Sequence, residues 1–246
     1  MVQSSQADYR IYFTFVMSLP HFQHLQIVVP DLKERHILDL GSGRGGVLVE
    51  ATKEGFSIEG LEYSARYIEL AEAKAKERGV VIKQRQGKGE ALPYDNQSFG
   101  FVNMAEVIEH VEEPEAVMKE VYRVLKPGGS VYLSVPSRYG AFDPHFKIYG
   151  VNWVPRAWSD RFISIFGKHK EYTNETGEQR LSHMHYYTLG AIRKLLREVG
   201  YSVYDIRELK IKQKLPKSLS PFALMVYRLV RSWYFNTYHL LPMKPL

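Results

Sequence analysis

One short stretch constrains the fold more than any other. The apolar run His36-Ile-Leu-Asp-Leu40 enters a glycine cluster, Gly41-Ser-Gly43-Arg-Gly45-Gly46. Residues 47–54 then fit a helix that Gly55 stops. A buried strand, a tight turn and a helix in that order make half of a βαβ unit. Glycines after a strand let the backbone turn sharply and approach a ligand closely, and the helix that follows offers free N–H groups at its start. The spacing Gly41-x-Gly43-x-x-Gly46 also satisfies the dinucleotide pattern, which is weak evidence alone. Asp39 narrows the choice. A carboxylate just before the turn suits an ammonium group or ordered water and repels a pyrophosphate.

The same alternation continues downstream. Residues 57–63 predict a second strand, Ser64 suits the cap of a helix over 65–78, and Gly79 ends it. Residues 80–86, 99–105 and 130–135 predict three further strands. Pro114 suits the first turn of a helix carrying Val117, Val121, Val124 and Leu125 on one stripe, and Pro127-Gly128-Gly129 reads as a turn. After Pro136 the rhythm breaks, and residues 137–187 show no clean period. It resumes as a helix over 188–200 and a strand over 201–211. Upstream, residues 8–28 read as a helix with a broad apolar face of Ile11, Phe15, Leu19 and Phe22. Strands alternating with helices imply an α/β, Rossmann-like, doubly wound parallel sheet. Right-handed crossovers gather its strand C-terminal ends at one edge, where ligands bind.

Composition excludes several classes. Cysteine is absent, so neither a disulfide framework nor a thiolate metal site can form. No run has the roughly 18 apolar residues of a membrane span, and the first seven residues carry no Lys or Arg, so a cytoplasmic protein is expected. The net charge of +6 is unevenly placed: from Asp205 onward there are eight basic and two acidic residues, which leaves the rest formally neutral. A basic tail of that kind points to an anionic partner.

Glu62 ends the second predicted strand, where a carboxylate can accept hydrogen bonds from both hydroxyls of a ribose. Nicotinamide and methionine-derived cofactors both carry such a ribose. Six ordered motifs then add up: Ile37-Leu-Asp-Leu-Gly-Ser-Gly-Arg-Gly45, Gly60-Leu-Glu62-Tyr63-Ser64, Gly89-Glu-Ala-Leu-Pro-Tyr94, Ser98-Phe99, Ala105-Glu-Val-Ile-Glu-His110-Val and Arg123-Val-Leu-Lys-Pro-Gly-Gly129. Together they resemble the class I S-adenosylmethionine-dependent methyltransferases, nearest the branch that holds the ubiquinone- and menaquinone-biosynthesis enzymes. The resemblance covers about residues 36–136, and weakly 188–201.

The resemblance implies a seven-stranded sheet with an antiparallel last strand, S-adenosylmethionine as cofactor and S-adenosylhomocysteine as product. It places the methionine moiety near Asp39, Gly41, Ser42, Gly43, Ala105 and Glu106, and the ribose on Glu62. The adenine falls between Tyr63 and the loop Gly89-Glu90-Ala91-Leu92. Two positions depart from the family pattern. Lys88 stands where an Asp often accepts from the adenine amino group, and Lys cannot accept. Gly100 stands where an Asp usually follows Phe. On this reading 1–246 is a single methyltransferase domain: an N-terminal helical segment (1–35), a cofactor-binding core (36–136), a lid or substrate insert (137–187), and a C-terminal helix–strand completion with a basic aromatic tail (188–246).

Methyl transfer from a sulfonium is an in-line displacement, so the protein must align donor and nucleophile and exclude water. A hydroxyl nucleophile adds the need for a general base. The candidates are His110, beside Glu109 at the edge of the fourth strand, and His145, His169, His183 and His185. His183 and His185 would point to one side of an extended segment. No third ligand stands at recognisable spacing, so no metal is expected. The insert follows the fifth strand, where a cover attaches, and 19 of the 32 aromatic residues lie after Pro136.

Ser220-Pro221 predicts a helix from 222 to 238 that carries Arg228 and Arg231 among aromatics. It reads either as a membrane-surface contact or as the domain's last strand and covering helix. The expected function is methyl transfer to an O, N or C atom of a small acceptor, apolar or lipid-linked, with peripheral membrane contact through the tail. Alternatives are an RNA or protein methyltransferase using that tail, a nicotinamide oxidoreductase, and a non-catalytic binding protein of the same fold. Asp39 and residues 106–110 oppose the oxidoreductase. No nucleic-acid module and no Asn-Pro-Pro-Tyr-like tetrapeptide supports a macromolecular acceptor, so nucleic acid is not an expected partner.

Overall fold

Seven strands form one sheet: β1 (Ile37–Leu40), β2 (Ile58–Glu62), β3 (Gln84–Gln86), β4 (Phe99–Met104), β5 (Leu125–Pro136), β6 (Ser202–Asp205) and β7 (Thr237–Met243). In this computed structural model their spatial order is β6-β7-β5-β4-β1-β2-β3. Strands β1 to β5 pair in parallel, whereas β7 runs antiparallel to both β5 and β6. The structure describes residue 22 and residues 25–166, 173–174, 177–178 and 180–246. Ile11, Phe15 and Leu19 of the expected N-terminal helix, and His169, lie outside the described residues.

The central strands are apolar because both faces are covered. All four residues of β1 are buried. On one face, α3 (Pro114–Val124) and α5 (Leu189–Val199) bring Val117, Val121, Ile192 and Leu196 against Leu38, Val102 and Leu133. On the other, α1 (Gly46–Lys53) brings Leu48 into a layer with Phe22, Leu32, Ile37 and Phe101. Each fully buried Leu, Ile or Phe stabilises by about 1.5–3 kcal/mol. The remaining helix of this part, α2 (Ala65–Glu77), lies beside β2 and β3.

Several boundaries differ from the sequence reading, each for a local reason. Strand β3 is only three residues long and lies at the sheet edge, and Val81 before it is 90% exposed. The Pro-Gly-Gly turn is absorbed into β5: Leu125 pairs with Phe99, Ser130 pairs with Phe101, and Gly128 takes φ +73° in the irregularity between them. Leu125 therefore begins a strand instead of extending the stripe of α3. The strand expected over 201–211 stops at Asp205. Its carboxylate accepts from the Arg207 and Glu208 N–H groups and starts α6 (Ile206–Lys214). The cap residues differ too. Ser220 is a buried residue inside α7 (Ser220–Tyr234), and neither it nor Ser64 caps a helix through its side chain. Residues 237–243 belong to β7, so the C-terminal segment supplies the last strand as well as a helix.

The insert after β5 has a small core of its own. A ribbon of Phe142–Asp143 and Ile148–Tyr149 leads into α4 (Arg156–Phe166), and a 3₁₀ turn spans Leu181–His183. Phe146, Ile148, Val151, Ile163, Leu181 and Met184 pack together there. The insert is also stitched to the C-terminal end of β5, since Arg138 N–H donates to Tyr187 O and Tyr187 N–H to Pro136 O.

Candidate active site

The C-terminal ends of β1, β2 and β4 converge on the glycine turn. Gly41 and Gly45 adopt φ +71° and +69°. A Cβ on Gly41 would lie 2.6 Å from Val107 Cγ2, and one on Gly45 would lie 2.7 Å from Ala71 Cβ. Gly45, not Gly46, is the third constrained glycine, because Gly46 already belongs to α1. The turn is closed by Glu62, whose Oε2 accepts from Gly43 N–H at 2.8 Å and whose Oε1 accepts from Ser64 N–H at 2.9 Å. Ser42 is buried, and its Oγ accepts from Gln84 Nε2 at 2.7 Å, so its side chain braces the turn from behind.

Asp39 is buried and accepts from Asn103 Nδ2 at 2.7 Å. Burial pushes its pKa up from 3.8 to about 7, and the charge on Glu62 adds to the rise. The stability that Asp39 contributes to the cofactor-free protein is therefore complete below about pH 4 and lost as pH rises through 7. Asp39→Asn keeps an acceptor for Asn103 and removes the charge. Its unfolding free energy relative to the parent is expected to be near zero change at pH 4 and higher by about 2–4 kcal/mol at pH 8. Urea titrations at both pH values check this, and a pH-independent difference would refute it.

Beyond Glu62, Tyr63 is 56% exposed and Lys88 Nζ sits 5.4 Å from its ring centroid. Within the loop 89–92, Glu90 Oε1 accepts from the Glu112 and Glu113 N–H groups. Leu92 is buried, and its N–H donates to Glu120. These two side chains hold the loop, and Ala91 is exposed between them.

After β4 the chain makes an unusual turn. Ala105 is buried, and Glu106 takes φ +58°, a left-handed conformation that L side chains rarely adopt. Ser134 of β5 holds it there: Glu106 N–H donates to Ser134 Oγ at 2.7 Å, and Ser134 O–H donates to Glu106 Oε1 at 3.0 Å. His145 from the insert lies against the same carboxylate, with Nε2 3.6 Å from Glu106 Oε2 and 3.5 Å from Glu109 Oε1. Its Nδ1 is 3.0 Å from Tyr186 Oη. Burial and the neighbouring Glu109 push Glu106 up to about 7, and burial holds Tyr186 well above the usual tyrosine range.

Exposure separates the roles. Glu109 and His145 are 0% and 4% exposed, whereas Glu106 and His110 are 21% and 31% exposed. Of the four histidines proposed from sequence and described here, two join the cluster. His110 Nε2 is 3.8 Å from Glu109 Oε1, and its ring meets that of His145 edge-on. The other pair contributes no side chain to it: His183 is exposed at the end of the 3₁₀ turn, and the half-buried His185 donates its backbone N–H to Glu109 O at 3.0 Å while its ring stacks near Tyr187. Glu109, His110 and His145 place ligand atoms within 4.8 Å of one another, a group that can hold a divalent cation. The sequence reading missed Asn103, Ser134 and Tyr186. Asn103 was the visible one, a polar residue inside the apolar strand Phe99-Gly-Phe-Val-Asn-Met104.

Behind Tyr186, the Arg156 guanidinium lies 4.5 Å from the ring centroid, and burial and Arg138 hold its pKa below the usual range. Arg156 Nη1 and Nη2 and Arg138 Nη1 are buried without a hydrogen-bond partner among the described residues.

Residues 38–133 match a family model described as a methyltransferase domain. A ubiquinone biosynthesis O-methyltransferase of Coxiella burnetii (strain Dugway 5J108-111) is 30% identical over 182 residues, 69% of this chain and 75% of that protein. The enzyme of the same description from Pseudomonas entomophila is 35% identical over 109 residues, so the match spans 44% of this chain and about half (47%) of that relative. Among solved structures, an S-adenosylmethionine-dependent methyltransferase from Methanosarcina mazei superposes with a TM-score of 0.58 at 22% identity, covering 89% of this chain and 97% of that one.

Proposed function

Because the chain belongs to the class I S-adenosylmethionine-dependent methyltransferases, we propose that it transfers the methyl group to a hydroxyl of a small, partly apolar or lipid-linked acceptor. The observation that carries this reading is the acid–imidazole cluster at the end of β4. An amine or thiolate acceptor does not need a base of that strength, whereas a hydroxyl does. Relatives described as O-methyltransferases support the same choice of atom.

In this reading Asp39 faces the ammonium of the methionine moiety, Glu62 the ribose, and Tyr63 with the 89–92 loop the adenine. Ala105 lines the sulfonium side. Lys88 offers no acceptor to the adenine, so backbone groups of that loop read it. Glu106 is the base: it is the partly exposed carboxylate, and its ionised form prevails above about pH 7. His145 is a positioning residue that holds Glu106 from the buried side, and Tyr186 fixes the imidazole. His110 lies at the open edge against the acceptor. The insert covers the site with aromatic side chains and excludes water.

Transfer of tritium from S-adenosyl-[methyl-³H]methionine tests the acceptor class. Label is expected in the organic phase with an alkyl-substituted catechol and not in bulk RNA or protein. Label in RNA or protein alone would replace the small-molecule reading with a macromolecular one.

A further inference from the structure

The chain between β6 and β7 does more than connect them. Antiparallel neighbours can be joined by a two-residue hairpin, yet residues 206–236 build α6 and α7. Helix α7 has two faces. Ser220, Leu224 and Tyr227 are buried against the domain, and Arg231 on the same side is held by Asp205 and Glu208. On the other side Phe222, Met225, Leu229 and Trp233 are 66%, 51%, 69% and 56% exposed, with Leu219 and Val226 beside them. At about 100° per residue these six side chains fall within an arc of about 120°, opposite the buried face. An apolar face of that extent, facing water, marks an interaction site.

The charge around it identifies the partner. Residues 206–236 carry seven basic side chains and one acid, Glu208. Arg228 and Arg231 engage that acid. Lys210, Lys212, Lys214 and Lys217 have no acidic partner among the described residues. Burial and the nearby Lys214 and Arg207 hold Lys210 below the usual lysine range. The segment's formal +6 equals that of the whole chain, so the remainder is neutral overall. A second copy docking through this same face would bring a further +6 against it. Leucine, phenylalanine and tryptophan on one helix face, bordered by lysines, fit the boundary of an anionic bilayer.

We propose that α6 and α7 form a docking surface for an anionic lipid bilayer. Helix α7 lies in the plane of the interface with Phe222, Leu229 and Trp233 among the acyl chains, and the lysines between 210 and 217 lie on the headgroups. This deepens the reading above and rests on it for its purpose, since a lipid-linked acceptor is met at such a surface. The link to the site is direct. Ser232 O accepts from Ser137 Oγ and Trp233 O accepts from Ala141 N–H, so the end of α7 holds the start of the insert that covers the acid–imidazole cluster.

Sedimentation of the full chain with vesicles tests the proposal. Binding to phosphatidylglycerol–phosphatidylcholine vesicles is expected to exceed binding to pure phosphatidylcholine, and to fall with salt. Phe222→Glu with Leu229→Glu should reduce it at least about tenfold, and Lys214→Glu with Lys217→Glu by a comparable factor and with a weaker salt dependence. S-adenosylhomocysteine affinity should be unchanged in both. Equal binding to neutral and anionic vesicles, no binding, or parent-like binding of the Phe222/Leu229 variant would overturn it. So would a concentration-dependent dimer that the same variant abolishes. Vesicle binding without S-adenosylhomocysteine binding would instead sink the methyltransferase reading and leave the docking surface standing.

Discussion

Glu62→Ala is expected to weaken S-adenosylhomocysteine binding by about 10²- to 10⁴-fold in isothermal titration, with NADH giving no heat for either protein. Two losses combine. In the proposed reading the carboxylate accepts from both ribose hydroxyls, and each charge-assisted hydrogen bond contributes about 1.5–3 kcal/mol. It is also the clasp of the glycine turn, through Gly43 N–H and Ser64 N–H. Without it those two donors face water and the turn loses its fixed shape, so preorganisation is lost along with contact. Glu62→Gln separates the effects. Its amide oxygen keeps one backbone donor and its amide nitrogen opposes the other, so it should fall between parent and alanine. A fall of less than about fivefold for alanine would place the ribose elsewhere, and NADH binding would reassign the glycine turn to a dinucleotide.

The sequence made the glycine turn and its Glu62 clasp legible because that part of the candidate site is local. Asp39, the glycine turn and Glu62 sit on two consecutive strand–turn–helix units, and each residue announces its conformation: glycines where φ is positive, a carboxylate at a strand end. The antiparallel β7 was expected from the family resemblance and found at residues 237–243. The acceptor half was legible only as a set of candidates. His145 meets Glu106 from 39 positions away through an insert with no periodicity, and Tyr186 reaches it from 41. Nothing in local spacing ranked His145 above His183. What ranks them is the ribbon Phe142–Asp143, where Asp143 Oδ1 accepts from the His145 and Phe146 N–H groups and fixes the loop that delivers the imidazole. The left-handed Glu106 was equally hidden, because its conformation is imposed by Ser134 on a neighbouring strand. The strand expected to run to 211 failed for the opposite reason. A cap signal was present at Asp205, and alternating side chains beyond it masked the start of a helix.

The strain at Glu106 bears on the chemistry. A left-handed non-glycine residue costs about 1–3 kcal/mol and persists where surrounding structure over-determines it. Here two hydrogen bonds to Ser134 and an imidazole at 3.6 Å do so, and the carboxylate is held at the strand end facing the open side. Glu106→Gln retains the shape and the bond from Ser134, and removes the ability to take a proton. With the acceptor found in the tritium screen, kcat is expected to fall about 10²- to 10⁴-fold. His145→Asn should cost less, about 10-fold to 10²-fold, because it loosens the base without removing it. The order of the two effects is the test. If His145→Asn abolishes turnover and Glu106→Gln leaves it near parental, the imidazole is the base and the carboxylate only orients it. If both variants keep the parental rate, the acceptor arrives already ionised and the cluster at the end of β4 serves its binding alone.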